Sequence, residues 1–564
     1  MIAFYLCMGN FSRNILFLIC SNNMKVGDTM SPFFRKRTKS EQPKQTIPKS
    51  EIMIENEDKR ISSNLKSNIE YFYKIFKNDM DFLLREFNVG GKSAALLCLA
   101  SLVEREEVER DIIQPLQNSN IGLTNADLIP AILEKEIIYH ADVEKETNVS
   151  TLIQSITIGK VIVLIEGVEQ AILFDAIKQE KRAIDQPETE RVVRGPKDGF
   201  IEQISTNVAL LRYRLPVPEF RIEETEVGAR TRTKVAVCYL EDIANEKLIE
   251  EIKRRIDAIQ IDGVLDAGYI EQFVQDNPWS PFPQILNTER PDKVVGNLLE
   301  GRVAILVEGS PFALIAPATF NQFYQTSEDY YDRWLITSAI RAIRILALFF
   351  SLTFSSFYVT VLSFHPELIP SGFVVAASSG RHGVPFPVFV EVLLMEIAME
   401  ILREATIRMP QQVGGALSIV GVLVVGQAAV QAGFVSPITV VIIALSTIGS
   451  FATPSYNVAT AFRMLRFPLI ILAGTFGLLG LAVGIILILN HMISLRSLGV
   501  PYMIPFSPGN LSTAKDSIVR APLNWLKERP KEINPKNKKR VGGRVKDKAS
   551  HNFLKDDGGK KDEA

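Results

Sequence analysis

The residues most able to do chemistry in this sequence are carboxylates inside an otherwise apolar segment, Pro385–Met409. Its charged residues include Glu391, Glu396, Glu400, Arg403 and Glu404. At 100° per residue of an α-helix, all of these except Glu391 fall on one arc of about 100°. An unpaired charge at bilayer depth costs about 2.5–3.5 kcal/mol or more. The segment therefore predicts either an interfacial helix, in which Arg403 pairs with Glu400 or Glu396, or an acidic vestibule that attracts cations.

A second candidate site lies in the segment that follows, residues 413–434, which carries no charge. Small residues on one helical face permit close helix packing, and they are Gly414, Ser418, Gly421 and Ala428. A separate stripe with spacings of 4, 3 and 4 consists of Val420, Val424, Gln427 and Gln431. Valines beside glutamines suit a narrow gate, and the alternative is that the glutamines only hydrogen-bond between helices. The carboxylates and this stripe are the candidate ion path, and Gly414, Ser418 and Gly421 are candidate assembly contacts.

Motifs for catalysis are missing from the sequence. The run Gly90-Gly91-Lys92-Ser93 resembles the end of a phosphate loop, but Glu86 stands where the motif needs glycine, and an apolar strand follows where it needs a helix. There is no GxSxG or HExxH, and the five histidines show no metal-ligand spacing. We therefore predict no enzymatic activity, no cofactor and no metal.

The elements that must position the candidate residues are long apolar stretches. Each has about 20 residues without Asp, Glu, Lys or Arg, enough for about 30 Å of helix, the thickness of a bilayer core. They are Ile345–Phe364, Val413–Phe434, Pro437–Tyr456 and Phe467–Asn490. Residues 333–509 are therefore predicted to form an α-helical transmembrane bundle.

The charges at both ends of this region predict its orientation. Arg333, Arg341 and Arg344 flank the first stretch, which favours a cytoplasmic N-terminal region, and the basic tail 510–564 also favours the cytoplasm. That arrangement requires an even number of crossings. Four stretches are clean and Pro385–Leu402 would be a fifth, so one segment must be re-entrant, interfacial or missed.

Upstream, the sequence predicts a soluble region of two duplicated α/β subdomains, at 60–184 and 230–332. Gly159–Gly167 (GKVIVLIEG) recurs as Gly301–Gly309 (GRVAILVEG), and Val235–Leu240 with its helix mirrors Leu96–Val103 with its helix. Cys98 and Cys238 occupy matching places in these runs and are predicted to be buried thiols. The pair of subdomains either encloses a ligand cleft or forms a rigid platform for assembly.

The remaining segments are predicted to have less regular structure. Residues 1–59 read as a flexible leader, with Met30 a more natural start, and 185–229 as a connector. Its basic residues either contact anionic headgroups or a neighbouring subunit, or belong to a solvated linker. The candidate assembly contacts of the soluble region are Arg194, Lys197, Arg212 and Arg290. The net charge of −1 gives no nucleic-acid footprint.

Several motifs together resemble the A subunit of the GerA family of spore germinant receptors. The resemblance covers about 60–530 of this sequence. The motifs are Arg194-Gly-Pro-Lys-Asp-Gly-Phe200, Glu289-Arg-Pro-Asp292, Ser327-Glu-Asp-Tyr-Tyr331, Met395-Glu396 through Leu402-Arg-Glu404, Gly415–Gly433, Gly499-Val-Pro-Tyr502, Arg520-Ala-Pro522 and Arg529-Pro530.

The resemblance implies a multi-pass protein of the spore inner membrane. Such a subunit assembles with a transporter-like B subunit that binds the germinant and with a lipoprotein C subunit. The resemblance further implies a homo-oligomer, in contact with membrane lipid, whose cation-conducting path opens on nutrient sensing. The alternatives are a non-conducting scaffold and a secondary transporter, although the sequence shows no convincing inverted repeat.

Overall fold

The computed structural model describes residues 50–118, 143–176, 186–408, 426–509 and 515–540. The predicted residues Gly414, Ser418, Gly421, Val420 and Val424 lie outside these ranges, as do most of the leader and the end of the tail. The chain combines an α/β region with a helical region that starts at Trp334.

The first sheet has five strands in the order β1-β2-β4-β5-β3, and all neighbours are antiparallel. The strands are β1 Phe82–Val89, β2 Lys92–Leu99, β3 Val143–Glu146, β4 Val161–Ile165 and β5 Ala171–Phe174. Gly90 and Gly91, with φ of 55° and 84°, make the tight turn between β1 and β2. The Gly-Gly-Lys-Ser run is therefore a hairpin turn that leads into β2.

The second sheet has the corresponding antiparallel order, β6-β7-β9-β10-β8. Its strands are β6 Phe220–Val227, β7 Thr233–Leu240, β8 Leu286–Thr288, β9 Val303–Val307 and β10 Ala313–Ala316. Residues 185–229, predicted as a connector, contain both a helix and β6. β6 lies at the edge of this sheet, and its sequence mixes apolar residues with Arg221, Glu223, Glu224 and Glu226.

The registers correct the expected match between the two cysteines. Leu97 pairs with Ile162 in the first sheet, and Cys238 pairs with Ala304 in the second. Each is the fourth residue pair of its ladder, β2 with β4 and β7 with β9. Leu97, rather than Cys98, is therefore equivalent to Cys238, and a shift of one residue points the side chain to the other face of a sheet. Both cysteines are fully buried as predicted, and burial raises the pKa of each thiol to about 12.

Helices cover both sheets, and polar caps set their ends. Those with at least eight residues are α1 Leu65–Ile75, α2 Val149–Ile158, α3 Ile204–Arg214, α4 Glu246–Asp257, α5 Ala267–Val274 and α6 Pro291–Leu298. The Asn148 side chain accepts two backbone N–H groups at the start of α2, and Gly159, with φ of 103°, ends that helix. The Asn245 side chain caps the start of α4 by accepting the backbone N–H of Lys247. The asparagines therefore start α2 and α4, and Gly159 ends α2 two residues before β4 begins.

A buried ion pair joins the two sheets. Arg212 of α3 is 1% exposed and pairs with Asp79 and Asp81, which precede β1. Its Nη1 also donates to the carbonyl oxygen of Phe220, at the start of β6, at 2.9 Å. Arg212 therefore fixes the first sheet on the second.

The helical region contains α7 Trp334–Phe364, α8 Ser371–Gly380, α9 Val388–Ile407, α10 Pro437–Phe451 and α11 Tyr456–Ser494. Residues 426–431 are also helical. By length and composition, α7 and α11 are each able to cross a membrane, and they are the two such helices among the described residues. This indicates a membrane-associated protein.

The chain reverses direction within α11, at Gly477. This residue has φ of 60° and ψ of −136°, which interrupts the helix. Beyond it, Gly480 lies against the carbonyl oxygen of Leu472, although eight residues of straight helix would separate them by about 12 Å. Phe462 and His491 both contact the ring of Phe282, with centroids at 5.5 and 6.1 Å. In a straight helix they would be about 43 Å apart, so α11 is a hairpin of two antiparallel arms.

Other helices run between the same two ends. Phe364, at the end of α7, packs on Gly477, and Phe389, near the start of α9, packs on Gly474. At the opposite end, Arg463 of the first α11 arm lies beside Glu400 of α9. Thus α7 leads away from the α/β region and α9 leads back towards it.

The returning arm of α11 is anchored on the second sheet's subdomain. His491 Nε2 lies 2.9 Å from Ser280 Oγ, and Tyr502 is fully buried against Phe282 and Phe323. The remaining short elements are helices Glu51–Glu55, Arg105–Glu107, Val108–Ile113 (a π-helix), Gln114–Asn118, Phe320–Tyr324 and Glu328–Tyr331, 3₁₀ turns Pro366–Leu368, Leu523–Trp525 and Lys531–Ile533, and strands Arg496–Ser497 and Val500–Pro501.

The hairpin in α11 predicts a short distance between its two arms. Spin labels at Met464 and Leu489, both exposed, should give an electron-paramagnetic distance below about 20 Å. A straight helix would separate the two backbones by about 37 Å, and a distance near that value would contradict the reversal. A second pair at Met464 and Phe476, within one arm, is the control and should give the same result in either case.

Candidate functional site

A charged junction connects the α/β region, the first long helix and the C-terminal segment. We define it by Asp329, Tyr330, Arg341, Arg344 and Asp516. Arg341 of α7 has no exposed surface, and its Nε donates to Asp329 Oδ2 at 2.7 Å. Its Nη1 donates to Asp516 Oδ1 at 2.8 Å. One guanidinium therefore bridges two carboxylates through charge-assisted hydrogen bonds from Nε and Nη1.

Neighbouring groups complete the junction. Arg344 Nη1 donates to Asp329 at 2.9 Å, and the Tyr330 hydroxyl donates to Asp516 at 2.8 Å. Burial, followed by the nearby Asp516 charge, raises the pKa of Tyr330 well above its usual value, so this hydroxyl remains a donor. Arg520 then reaches back to the carbonyl oxygens of Tyr330 and Asp332. The segment 515–540 is thereby attached at the base of α7.

Three separate sequence motifs meet beside this junction. The backbone N–H of Arg194 donates to Glu328 at 3.0 Å, and a Cβ on Gly195 would lie 2.7 Å from the Tyr331 ring, so only glycine fits there. Arg290 Nη2 donates to the Pro196 carbonyl oxygen at 2.9 Å. The motifs at 194–200, 289–292 and 327–331 therefore form one surface next to the start of α7.

These contacts locate the predicted assembly residues of the soluble region. Arg212 and Arg290 are buried and hold intrachain ion pairs, with Asp79 and with Asp292. Arg194 is exposed and pairs with Asp332 at 3.0 Å, and Lys197 is also exposed. Of these four residues, Arg194 and Lys197 are therefore the two whose side chains are exposed to another protein.

Glu391 lies inside the helical region with no exposed surface. Its Oε1 is 3.1 Å from Arg381 Nη2. Its Oε2 accepts from the backbone N–H of Ser436 at 3.0 Å and from Thr439 Oγ1 at 2.9 Å. Since both oxygens are satisfied within the chain, Glu391 joins α9 to the start of α10.

Glu396 forms the second buried pair. Arg466 Nη1 donates to it at 2.6 Å and Ser355 Oγ at 2.6 Å, so the pair links α9, α11 and α7. Both charged side chains are at most 4% exposed. The carboxylates that the sequence places on one arc therefore do not form a continuous water-exposed face, because Glu396 is buried.

The last two carboxylates of α9 are more open. Arg403 Nη1 donates to Glu400 at 2.7 Å, as one of the two sequence interpretations expected, and Arg463 lies 3.6 Å from the same carboxylate. Glu404 is 61% exposed and pairs with Arg408. Both carboxylates lie on the part of α9 that points back to the α/β region.

The two described glutamines of the predicted stripe, Gln427 and Gln431, are both exposed. Between them, Ala429 and Val430 are partly buried against Met395, Val435 and Ile443. The helix at 426–431 therefore packs through its apolar face and turns its glutamines outward. Their accessible amides require water or another polar surface, since amides in lipid are left without partners.

The pair of Arg403 with Glu400 is the one that the sequence predicts, whereas the partners of Glu391 and Glu396, which are Arg381 and Arg466, are not predicted. The pairing of Arg341 with Asp329 and Asp516 is also not predicted. An arginine at the edge of an apolar segment, such as Arg466, is a signal for a buried partner. Among the described residues, no group of three or more His, Cys, Asp or Glu is placed to hold a metal ion.

An α/β region joined by buried ion pairs to two long apolar helices indicates a membrane-associated protein with a folded α/β domain. The sequence model of the family described as Bacillus/Clostridium GerA spore germination protein matches residues 70–532. The chain belongs to this family.

Relatives of known name agree with this assignment. The chain is 41% identical to Spore germination protein KA of Bacillus subtilis (strain 168), over 86% of this chain and 89% of that protein. It is 38% identical to Spore germination protein GerLA of Bacillus cereus, over 81% and 93%. It is also 38% identical to the Uncharacterized membrane protein YfkQ of Bacillus subtilis, over 84% and 92%.

One solved structure is also similar, the crystal structure of the N-terminal domain of the A subunit of the Bacillus megaterium spore germinant receptor GerK3. It is 31% identical and covers 46% of this chain and 98% of its own, with a TM-score of 0.38.

The buried pair of Glu396 and Arg466 predicts a large effect on stability. In Glu396→Gln, Arg466 loses its buried counter-charge, and the free energy of unfolding in detergent should fall by about 3–5 kcal/mol. In the double variant Glu396→Leu, Arg466→Met, most of the loss should be recovered because no buried charge remains. The control Glu404→Gln breaks an exposed pair and should change stability by less than about 1 kcal/mol. Equal effects of the two single variants would contradict a buried pair.

The junction predicts that Arg341 protects the C-terminal segment from protease. In Arg341→Met, Asp329 and Asp516 lose their shared guanidinium, so cleavage by trypsin at Arg520 should be at least about tenfold faster. The matched control Arg194→Met removes only an exposed pair with Asp332 and should leave the cleavage rate unchanged. Unchanged cleavage in Arg341→Met would show that other contacts hold the segment.

Proposed function

We propose that this chain is the membrane subunit of a nutrient germinant receptor in bacterial spores. In this proposal, copies of the chain assemble around a cation-conducting path that opens when a germinant is sensed. The family and its named relatives support the germination role. The main support for a channel is that Gln427 and Gln431 face outward.

The argument for a shared axis is one of solvation. The helix at 426–431 is packed on its own chain through Ala429 and Val430, so its opposite face must meet lipid, water or another protein. Lipid leaves the amides of Gln427 and Gln431 unsatisfied, at a cost that membrane helices avoid by facing such groups inward. A ring of copies supplies an inner surface that is both protected from lipid and wet.

Fewer residues then line the proposed ion path than the sequence predicts. Glu391 and Glu396 are neutralised by arginines of the same chain and serve to hold helices together. The path consists of Gln427 and Gln431 with Val420 and Val424 of the same stripe. The more exposed Glu400 and Glu404 form a vestibule near the α/β region, where carboxylates attract cations.

The hairpin in α11 gives an even number of crossings. We count α7, α9, α10, the two arms of α11 and the predicted span Val413–Phe434, which makes six. An even number places the N-terminal region and the tail on one side, and Arg333, Arg341 and Arg344 favour the cytoplasm for that side. The localisation in this proposal is the spore inner membrane.

The α/β region acts as the assembly and control domain. We propose that its two sheets are copies of one duplicated subdomain, since their strand orders correspond. A transporter-like B subunit and a lipoprotein C subunit are the partners, and Arg194 and Lys197 offer exposed cations to one of them. Movement of this region reaches α7 through Asp329 and Arg341.

A non-conducting scaffold is the second candidate. The internal pairing of Glu391 with Arg381 and of Glu396 with Arg466 favours it, because such pairs hold a rigid helical region. A scaffold would tolerate substitution of the glutamine stripe.

The two candidates differ in the effect of charge on the stripe. In spores that depend on this receptor, Gln427→Lys should slow K⁺ release after addition of nutrient broth by at least about tenfold, because a fixed positive charge repels cations in the path. Gln427→Asn keeps the amide and is the matched control, with release near that of the parent. Receptor amount in the membrane must be equal in all strains. Normal K⁺ release from Gln427→Lys spores would refute the channel and favour the scaffold.

A further inference from the structure

An open groove, a cavity of about 550 Å³, lies on the helical region between α9, α10 and the first arm of α11. Its lining is mostly apolar and includes Met395, Met399, Ile443, Ile448 and Phe451. Two arginines, Arg403 and Arg463, line the same cavity. This volume is typical of a site for a molecule with an apolar body and a few polar atoms.

The charges around the cavity do not balance. Arg403, Arg463 and Arg466 face two carboxylates, Glu396 and Glu400, so three positive charges meet two negative charges. Glu404 does not compensate, since it pairs with Arg408 on the exposed side. One positive charge is therefore in excess on three arginine side chains that are at most 10% exposed, and an uncompensated buried charge is costly.

Arg463 is 4% exposed, and among the described residues its Nε has no hydrogen-bond partner. The nearest oxygen, from Glu400 at 3.6 Å, is too far for a hydrogen bond, whereas Arg463 Nη2 donates to Thr460 Oγ1 at 2.8 Å. The neighbouring Arg466 likewise has its Nε and Nη2 buried without a partner in the described part of the chain. A buried guanidinium N–H with no acceptor points to an anionic group that belongs at this position.

The cavity has a charged end and an apolar end. Arg463 follows Phe462, whose ring packs on Phe282 of the α/β region, so the charged end lies at the base of the helical region. Met395 lies eight residues before Arg403 on α9, about 12 Å further from that base. The order is thus that of a lipid in the leaflet next to the α/β region, with its headgroup at the arginines and an acyl chain along the methionines.

We propose that this cavity binds one anionic phospholipid. Its phosphate accepts hydrogen bonds from Arg463 and Arg403, and one acyl chain fills the space between Met399 and Ile443. The lipid neutralises the excess charge and fills the contact between α9, α10 and α11. This site is independent of whether the chain conducts ions.

The test is native mass spectrometry of the full chain, released from detergent after incubation with phosphatidylglycerol or phosphatidylcholine. We expect phosphatidylglycerol to be retained and phosphatidylcholine to be lost. In Arg463→Gln, retention should fall at least about fivefold, because the phosphate loses its main donor. Met399→Trp, which fills the apolar end and keeps both arginines, should cause the same loss. Arg408→Gln, an exposed arginine of the same helix, is the matched control and should retain the lipid.

Other outcomes would overturn the proposal. Equal retention of the two lipids, or of phosphatidylglycerol in all variants, would show that binding occurs elsewhere. Displacement by inorganic phosphate at equal concentration would identify a free anion rather than a lipid. A photoreactive residue at position 399 that cross-links to a second copy of the chain would show that another subunit covers the cavity. Circular dichroism and gel filtration establish that each variant is folded.

Discussion

The rest of the structure depends on the requirement that each charge in an apolar interior has a partner. Arg341 meets this requirement with two carboxylates that are distant in sequence, Asp329 and Asp516. Arg466 meets it with Glu396, 70 residues away. Because breaking a buried pair costs several kcal/mol, these contacts fix which helices are neighbours and where the C-terminal segment attaches. The family motifs cluster around the first of these pairs.

This pairing fixes the helical region at both ends on the α/β region. Its first helix leaves through Arg341, and its last arm returns to Ser280 and Phe282 after the reversal at Gly477. Movement of the α/β region would therefore act on α7 and α11 together. The proposed receptor function requires such a connection.

Much of the fold follows from sequence pattern, and the rest depends on distant partners. The buried strands β4 and β9 lie within the repeated runs Gly159–Gly167 and Gly301–Gly309, because apolar runs between glycines carry that signal. The edge strands β1 and β6 were missed, since their polar alternation resembles loop sequence. The reversal at Gly477 is invisible in an unbroken apolar stretch, where only a positive φ reveals it. Pairs such as Glu396 with Arg466 depend on which helices are neighbours in the fold. Spacing along one helix therefore could not distinguish the buried carboxylates from the exposed ones.

In the proposed function, the junction couples the α/β region to the ion path, and the link between them is Asp329 with Arg341. The most direct test is K⁺ release from spores whose receptor carries Asp329→Asn. This change removes the carboxylate that Arg341 and Arg344 share and leaves the pair of Asp516 with Arg341 in place. We predict that the receptor assembles in normal amount and that nutrient-evoked K⁺ release falls towards the level of spores without receptor. Normal release from spores that hold the normal amount of this receptor would contradict the coupling.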